Sequence, residues 1–350
     1  MKKILFLTAF FIASMASNAV THTVSNAAYL PAQFSSIQDA HDAATSGDTL
    51  LVSGTGMSYG NLMMTKQLFI IGASSSAANL SAQFDLFRIM GSACDASLFE
   101  SLRIGTVQFN EVGTDVYYNA LVLRRCYLGT IYLGADNNYC TNWLIEGCVF
   151  TSSGGVWNMN AANDHMLFLN FTMRNNVFNG TLRNLKYSII TNNIFVGTNA
   201  NQSGWEACST DTFTNNIIYG DRSNGGAEAC TFNNNITFGG TDNTFNIPAN
   251  SINYPFNIAS DNLYSTDPLF VNAPVGNEFN YNFDYHLQPG SVALTAGLGG
   301  IPCGIYNDNY TFRMDGEPTI PVVRTVTIPG GNTVPAEGSF QINVTSVSHP

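Results

Sequence analysis

At 350 residues the chain is long enough for more than one ordinary globular core, yet only 11% of it is charged while 45% is apolar. Scarce Lys and Glu disfavour long helices, and 31 glycines among many Asn, Thr and Ser favour short strands and turns. A formal charge of −11 argues against nucleic acid and anionic membrane surfaces as partners.

Lys2 and Lys3 precede an apolar run from Ile4 to Met15, and Ser17-Asn18-Ala19 supplies the small residues a signal peptidase accepts. Residues 1–19 are therefore expected to be a secretory leader, which makes the mature chain extracytoplasmic, whether secreted, periplasmic or at the cell surface. Loss of both lysines takes the formal charge from −11 to −13. The run is too short to span a bilayer, and no later stretch reaches the ~18 apolar residues of a transmembrane helix.

After a lead-in over residues 20–32, apolar Ile37, Ala40, Ala43 and Ala44 follow Ser35 and Ser36 and precede Gly47. That spacing predicts a short amphipathic helix with a Ser cap and a Gly stop. Strands are predicted from Gly47 to Val52 and from Lys66 to Gly72. A lone helix at this position is expected to cover the apolar end of the first turn and its open strand edges.

Four similar strings then recur: Met173-Arg-Asn-Asn-Val-Phe178, Ile190-Thr-Asn-Asn-Ile-Phe195, Phe213-Thr-Asn-Asn-Ile-Ile218 and Phe232-Asn-Asn-Asn-Ile-Thr237. Each reads as strand, tight corner, strand, because Asn tolerates left-handed backbone angles and stacked amides bond as a ladder. With the second Asn as marker the series runs Cys126, Cys148, Asn176, Asn193, Asn216, Asn235 and Asn262, at a mean interval near 23 residues. Fixed corner chemistry with variable spacers marks a solenoid. The Leu lattice of leucine-rich repeats is absent, which leaves an all-β right-handed parallel β-helix with an N-terminal capping helix. Asn176, Asn193, Asn216 and Asn235 are expected to stack, with Val177, Ile194, Ile217 and Ile236 pointing inward. Cys126 and Cys148 are expected to stack as thiols rather than to form a disulfide.

The order of helix, Gly47-Asp-Thr-Leu-Leu-Val52, Leu68-Phe-Ile-Ile-Gly72 and repeated Asn-Asn-Ile-Phe resembles the right-handed parallel β-helix proteins of the pectin-lyase-like superfamily. Asp267-Pro-Leu-Phe-Val-Asn272 and Tyr285-His-Leu-Gln-Pro-Gly-Ser291 are similar to the closing segment of exported bacterial members. The resemblance covers about residues 33 to 306 and implies a fold rather than an activity. Beyond residue 310, Gly316 to Pro321 reads as a linker before a short C-terminal β segment of two strands, Val322 to Ile328 and Phe340 to Val344.

The catalytic patterns of the superfamily's enzymes are missing. Asp164-His165 follows Asn163 where pectate lyases carry Trp, no Arg-x-Pro-x-x-Arg string occurs, and the polygalacturonase set is absent. Asp164 and His165 are accordingly weak acid-base candidates. A second weak candidate is the repeat Glu206-Ala-Cys208 and Glu228-Ala-Cys230, spaced 22 residues apart. Stacking of Glu206 and Glu228 on adjacent turns would give a carboxylate pair of glycosidase type, with Asp211 and Asp221 nearby. No metal motif is present, so neither calcium nor another cofactor is expected. Trp143, Trp157 and Trp205, with Tyr117, Tyr118, Tyr127, Tyr132 and Tyr139, are candidate sugar-stacking rings. The leading expectation is an exported protein that binds extracellular glycan or matrix polysaccharide. Polysaccharide lysis or hydrolysis through paired carboxylates is the first alternative, and a structural or adhesive surface protein is the second.

Overall fold

The computed structural model describes residues 19–76, 81–109, 116–133, 138–151, 157–161, 167–223, 226–240, 256–307, 310–327 and 341–347. These residues form an all-β parallel solenoid with very little helix. Sheet A has 11 strands from Thr21–Val24 to Ile258–Ser260, sheet B has 12, and sheet C has 6 beginning at Val116–Asn119. Thr21–Val24, within the stretch read as a lead-in, pairs in parallel with Thr49–Val52 and is the first strand of sheet A.

From Leu98–Glu100 onward the sheet A strands are three residues long, and a left-handed residue brackets each end. The downstream corner uses Arg125, Gly147, Asn175, Asn192, Asn215 and Asn234, with φ between 52° and 65°. The upstream corner uses Ala120, Asn142, Asn170, Tyr187, Thr210 and Ala229, with φ between 52° and 60°. The Asn-Asn pair of each repeat thus divides two tasks. Its first member takes the left-handed angle, which costs Asn less than most residues. Its second member enters the wall.

There the markers stack as their spacing requires. Asn176 Nδ2 donates to Asn193 Oδ1 (3.0 Å), Asn193 to Asn216 (3.0 Å), Asn216 to Asn235 (2.9 Å) and Asn235 to Asn262 (3.0 Å). The same oxygens accept the backbone N–H of the preceding marker, each at 2.9 Å. Cys126 N–H donates likewise to Cys148 Sγ at 3.4 Å. No disulfide joins the seven cysteines, all of which are buried.

The lumen is filled by files of aliphatic and aromatic side chains. Met173, Ile190, Phe213 and Phe232 are in register on sheet A, and Phe150, Phe178 and Phe195 stack on sheet B at 4.9 and 5.1 Å. Val177, Ile194, Ile217 and Ile236 do not join them. Because the ladder Asn already occupies the inward position, strand alternation turns the next residue outward. These four residues pack instead into a second core with Phe270, Tyr285, Ala293, Ile305 and Phe312.

Residues 270–307 and 310–319 therefore lie against the outside of the solenoid as a strap. The outward Asn of successive corners holds this strap by its backbone: Asn175 Nδ2 to Ile305 O (2.8 Å), Asn192 Nδ2 to Pro302 O (2.9 Å) and Asn234 Nδ2 to Ala296 O (2.9 Å). Asn215 Oδ1 accepts from Leu298 N at 2.8 Å. Farther along, Ser74 and Ser76 hydroxyls donate to Asp315 O, and Thr319 N–H donates to Glu100 Oε1 at 2.8 Å. The stretch from Gly316 to Pro321, read as a linker, is docked because solenoid side chains satisfy its backbone. Beyond it Val322–Thr327 and Asn343–Val347 pair antiparallel as a short β segment.

The helix Ile37–Ala43 is capped by Ser36, whose hydroxyl accepts from Asp39 N–H, and it buries Ile37 and Ala40. Lys66 Nζ donates to the carbonyls of His41 (2.9 Å) and Ala44 (2.8 Å), placing a cation at the helix C-terminus. Among the described residues no helix is long and apolar enough to cross a membrane.

Candidate functional site

The structure does not stack Glu206 on Glu228. Glu206 lies opposite Arg183 on sheet B, with Arg183 Nε at 3.6 Å from its Oε1. Glu228 lies opposite Ser209 on sheet C and is exposed. The two Glu-Ala-Cys strings are 22 residues apart, but Cys208 pairs with Ala227, so the local turn is 19 residues. The second string is slipped by three positions and its Glu falls on a different sheet. No carboxylate pair of glycosidase type results.

Asp211 is buried in the upstream corner, where its Oδ1 accepts the Ser188 N–H at 2.7 Å. Burial pushes its carboxyl up to about 7, against the pull of that N–H. Asp221 pairs through its backbone with Thr198 on sheet B, and its side chain lies outside the described residues. Asp164 and His165 also lie outside them. Among the described residues no group of three or more His, Cys, Asp or Glu is gathered to hold a metal ion.

The tryptophans are not platforms where they are described. Trp143 and Trp205 are each 1% exposed and belong to the lumen. Trp143 Nε1 donates to Tyr118 O at 3.0 Å, and Trp205 meets the rings of Phe195, Phe213 and Phe232. The Trp157 side chain is outside the described residues. Tyr118 is buried, and Tyr127 is covered by the Arg103 guanidinium, 3.7 Å from its ring centre. Indole rings go inward because a lumen of this width buries their large apolar area.

One aromatic pair does face solvent. Tyr117 and Tyr139 are in register on the outer face of sheet C, with ring centres 4.9 Å apart and planes 17° from parallel. Tyr117 is 50% exposed. Two positions along the same face, Asn119 Oδ1 accepts from Thr141 Oγ1 (3.1 Å) and Asn142 Nδ2 (2.7 Å). Asp95 Oδ1 fixes the base of this cluster by accepting the Asn119 N–H at 2.7 Å. Burial raises the Asp95 carboxyl, and that N–H opposes the rise. The site thus presents a rigid two-ring stack beside an amide and hydroxyl patch. Its legible signal was the alternation of Tyr117, Asn119 and of Tyr139, Thr141 about the inward Tyr118 and Cys140.

Sequence reading missed a file of alternating charge on the outer face of sheet A. Glu100, Arg124, Glu146 and Arg174 are in register on successive rungs. Glu146 is buried and receives Arg124 Nε at 2.6 Å and Arg174 Nη2 at 2.6 Å. Opposite charges at cross-strand spacing stabilise the sheet, and Glu100 also anchors the strap. Arg174, Ile189, Thr191, Thr214 and Leu298 then line a cleft of about 360 Å³ between sheet A and the strap. Asn175, Asn192 and Asn215, which also line it, are committed to the strap backbone.

Comparison with protein-family models and with curated proteins gives no match to this chain.

Proposed function

We propose that this chain is an exported β-solenoid that binds extracellular glycan or matrix polysaccharide on the outer face of sheet C without cleaving it. The observation that carries the reading is the Tyr117–Tyr139 stack, exposed at Tyr117 and half-buried at Tyr139, beside Asn119, Thr141 and Asn142. Sugar C–H faces pack on aromatic rings, while amides and hydroxyls bond the ring substituents. Export is supported by Lys2, Lys3 and the apolar run that follows. The ordered motifs of the pectin-lyase-like superfamily support assignment to its exported bacterial type.

Tyr117→Ala is expected to weaken retention on an immobilised glycan roughly tenfold, the scale of one aromatic contact, while the melting temperature holds. A panel of plant, algal and bacterial polysaccharides in which none is retained by the wild type would leave the structural or adhesive reading. New reducing ends or unsaturated products would replace binding with lysis or hydrolysis.

We also infer that the helix Ile37–Ala43 closes the first rung. Ile37, 2% exposed, belongs to the same apolar cluster as Leu50, Val52 and Leu62. Ile37→Asp places an unpaired charge there, with an expected loss of several kcal/mol and association through the opened edge. A monomeric elution profile and an unchanged melting temperature would refute the capping role.

A further inference from the structure

The upstream corner carries a second ladder, five residues ahead of the asparagine ladder in every turn. Phe171 N–H donates to Ser188 Oγ (3.1 Å), Ser188 N–H to Asp211 Oδ1 (2.7 Å), Asp211 N–H to Cys230 Sγ (3.4 Å) and Cys230 N–H to Asn257 Oδ1 (2.8 Å). In both ladders each Asn also reaches back with Nδ2 to one backbone carbonyl, three residues before the preceding corner residue. Asn193 reaches Met173 O, Asn216 reaches Ile190 O, Asn235 reaches Phe213 O, and Asn257 reaches Ala227 O at 2.8 Å. The equivalent acceptor for Asp211 is the carbonyl of Leu185.

Asp211 is 1% exposed, Oδ1 takes the ladder N–H of Ser188, and Oδ2 has no hydrogen-bond partner; by the repeat of the ladder, Oδ2 corresponds to the asparagines' Nδ2. An ionised carboxylate cannot donate there and would set two oxygens against each other. A neutral acid has the missing donor.

We propose that Asp211 is a proton-operated lock in the solenoid wall: its neutral carboxyl donates to the Leu185 carbonyl and completes the upstream ladder, and ionisation breaks that rung. The titratable groups around it are Lys186 on the preceding turn, Cys208 three residues earlier on its own turn, and Cys230 on the next turn. Burial raises both thiols, Cys230 to about 12, so they stay neutral while Asp211 titrates. Burial outweighs the groups that favour the ionised form, which are the Ser188 and Ser209 N–H groups, the Ser188 hydroxyl and, least of all, Lys186. The sign follows from linkage. Burial moves the folded carboxyl up to about 7 from the ordinary 3.8 of the unfolded chain, so the folded state holds an extra proton between them. Stability contributed by this group is complete below the lower value, falls as pH rises, and is level above the upper one.

The test is denaturant unfolding of the full chain and of Asp211→Asn from about pH 4 to 9, read as the difference between the two, which cancels other carboxylates. Asn supplies the donor at every pH. The folded-to-unfolded ratio of the variant relative to wild type is expected to rise several hundredfold between about pH 4 and 8 and then stay constant. A difference independent of pH overturns the proposal. A second measurement needs no variant: difference infrared spectroscopy of the native protein should show a buried neutral carboxyl band near pH ~6 that is lost by pH ~8. Absence of that band overturns it equally.

Discussion

Asn193→Leu is expected to lower the stability of the folded chain by about 4 kcal/mol, from a side chain that touches no ligand. Asn193 is fully buried. It accepts from the N–H and Nδ2 of Asn176, at 2.9 and 3.0 Å, and donates to Met173 O, Thr191 O and Asn216 Oδ1, each at 3.0 Å. Leu keeps the branching at Cγ, is somewhat larger, and supplies none of these bonds. Each buried backbone group it strands costs about 1 to 3 kcal/mol, and neighbouring amides in one network do not compensate independently. Asn192→Ala, one residue earlier, should cost less, because its amide nitrogen holds strap carbonyls, Pro302 O and Gly304 O, and carries no rung of the ladder. Urea unfolding of both variants decides the matter. A loss below about 1 kcal/mol for Asn193→Leu would mean the ladder is decorative.

Trp205→Ala separates the lumen from the proposed binding face on sheet C. Trp205 touches three phenylalanine rings with centres at 5.8, 4.9 and 5.4 Å, and truncating a buried Trp costs about 3 to 5 kcal/mol with a cavity left behind. Retention on glycan, measured well below the melting transition, should be unchanged relative to wild type. Loss of retention with an unaltered melting temperature would return Trp205 to the role of a sugar platform and would contradict its 1% exposure.

The asparagine corner was legible because its chemistry is monotonous: a left-handed residue followed by a stacking amide, repeated at Asn175-Asn176, Asn192-Asn193, Asn215-Asn216 and Asn234-Asn235. The upstream corner has the same backbone but holds Leu121, Trp143, Phe171, Ser188, Asp211 and Cys230, so no residue type betrays it. Glu206 and Glu228 misled because 22 residues is near the average turn while the turn in question has 19. A solenoid with variable spacers must be registered locally. Val177 and its equivalents failed for a different reason. Their apolar character is explained by a second core with residues from Phe270 to Phe312, and no periodicity connects segments so far apart. Of the candidate rings, Tyr117 and Tyr139 were named without a face. Only alternation about Tyr118 and Cys140 assigns one.

The strap changes how such a molecule assembles. A bare solenoid has contacts only between neighbouring turns, so its rungs add or fray one at a time. Here Ser74 is bonded to Asp315 across 241 positions and Thr319 to Glu100 across 219. Closing loops of that length is slow, though the extra entropy grows only logarithmically. The outer apolar file of Val177, Ile194, Ile217 and Ile236 stays uncovered until residues 270–312 arrive. A nascent chain therefore carries, for the interval between making its seventh sheet A strand and its strap, a hydrophobic seam that a chaperone or a neighbouring chain can occupy. Once the strap lands, the ends of the solenoid are coupled, and partial unzipping gives way to all-or-none loss.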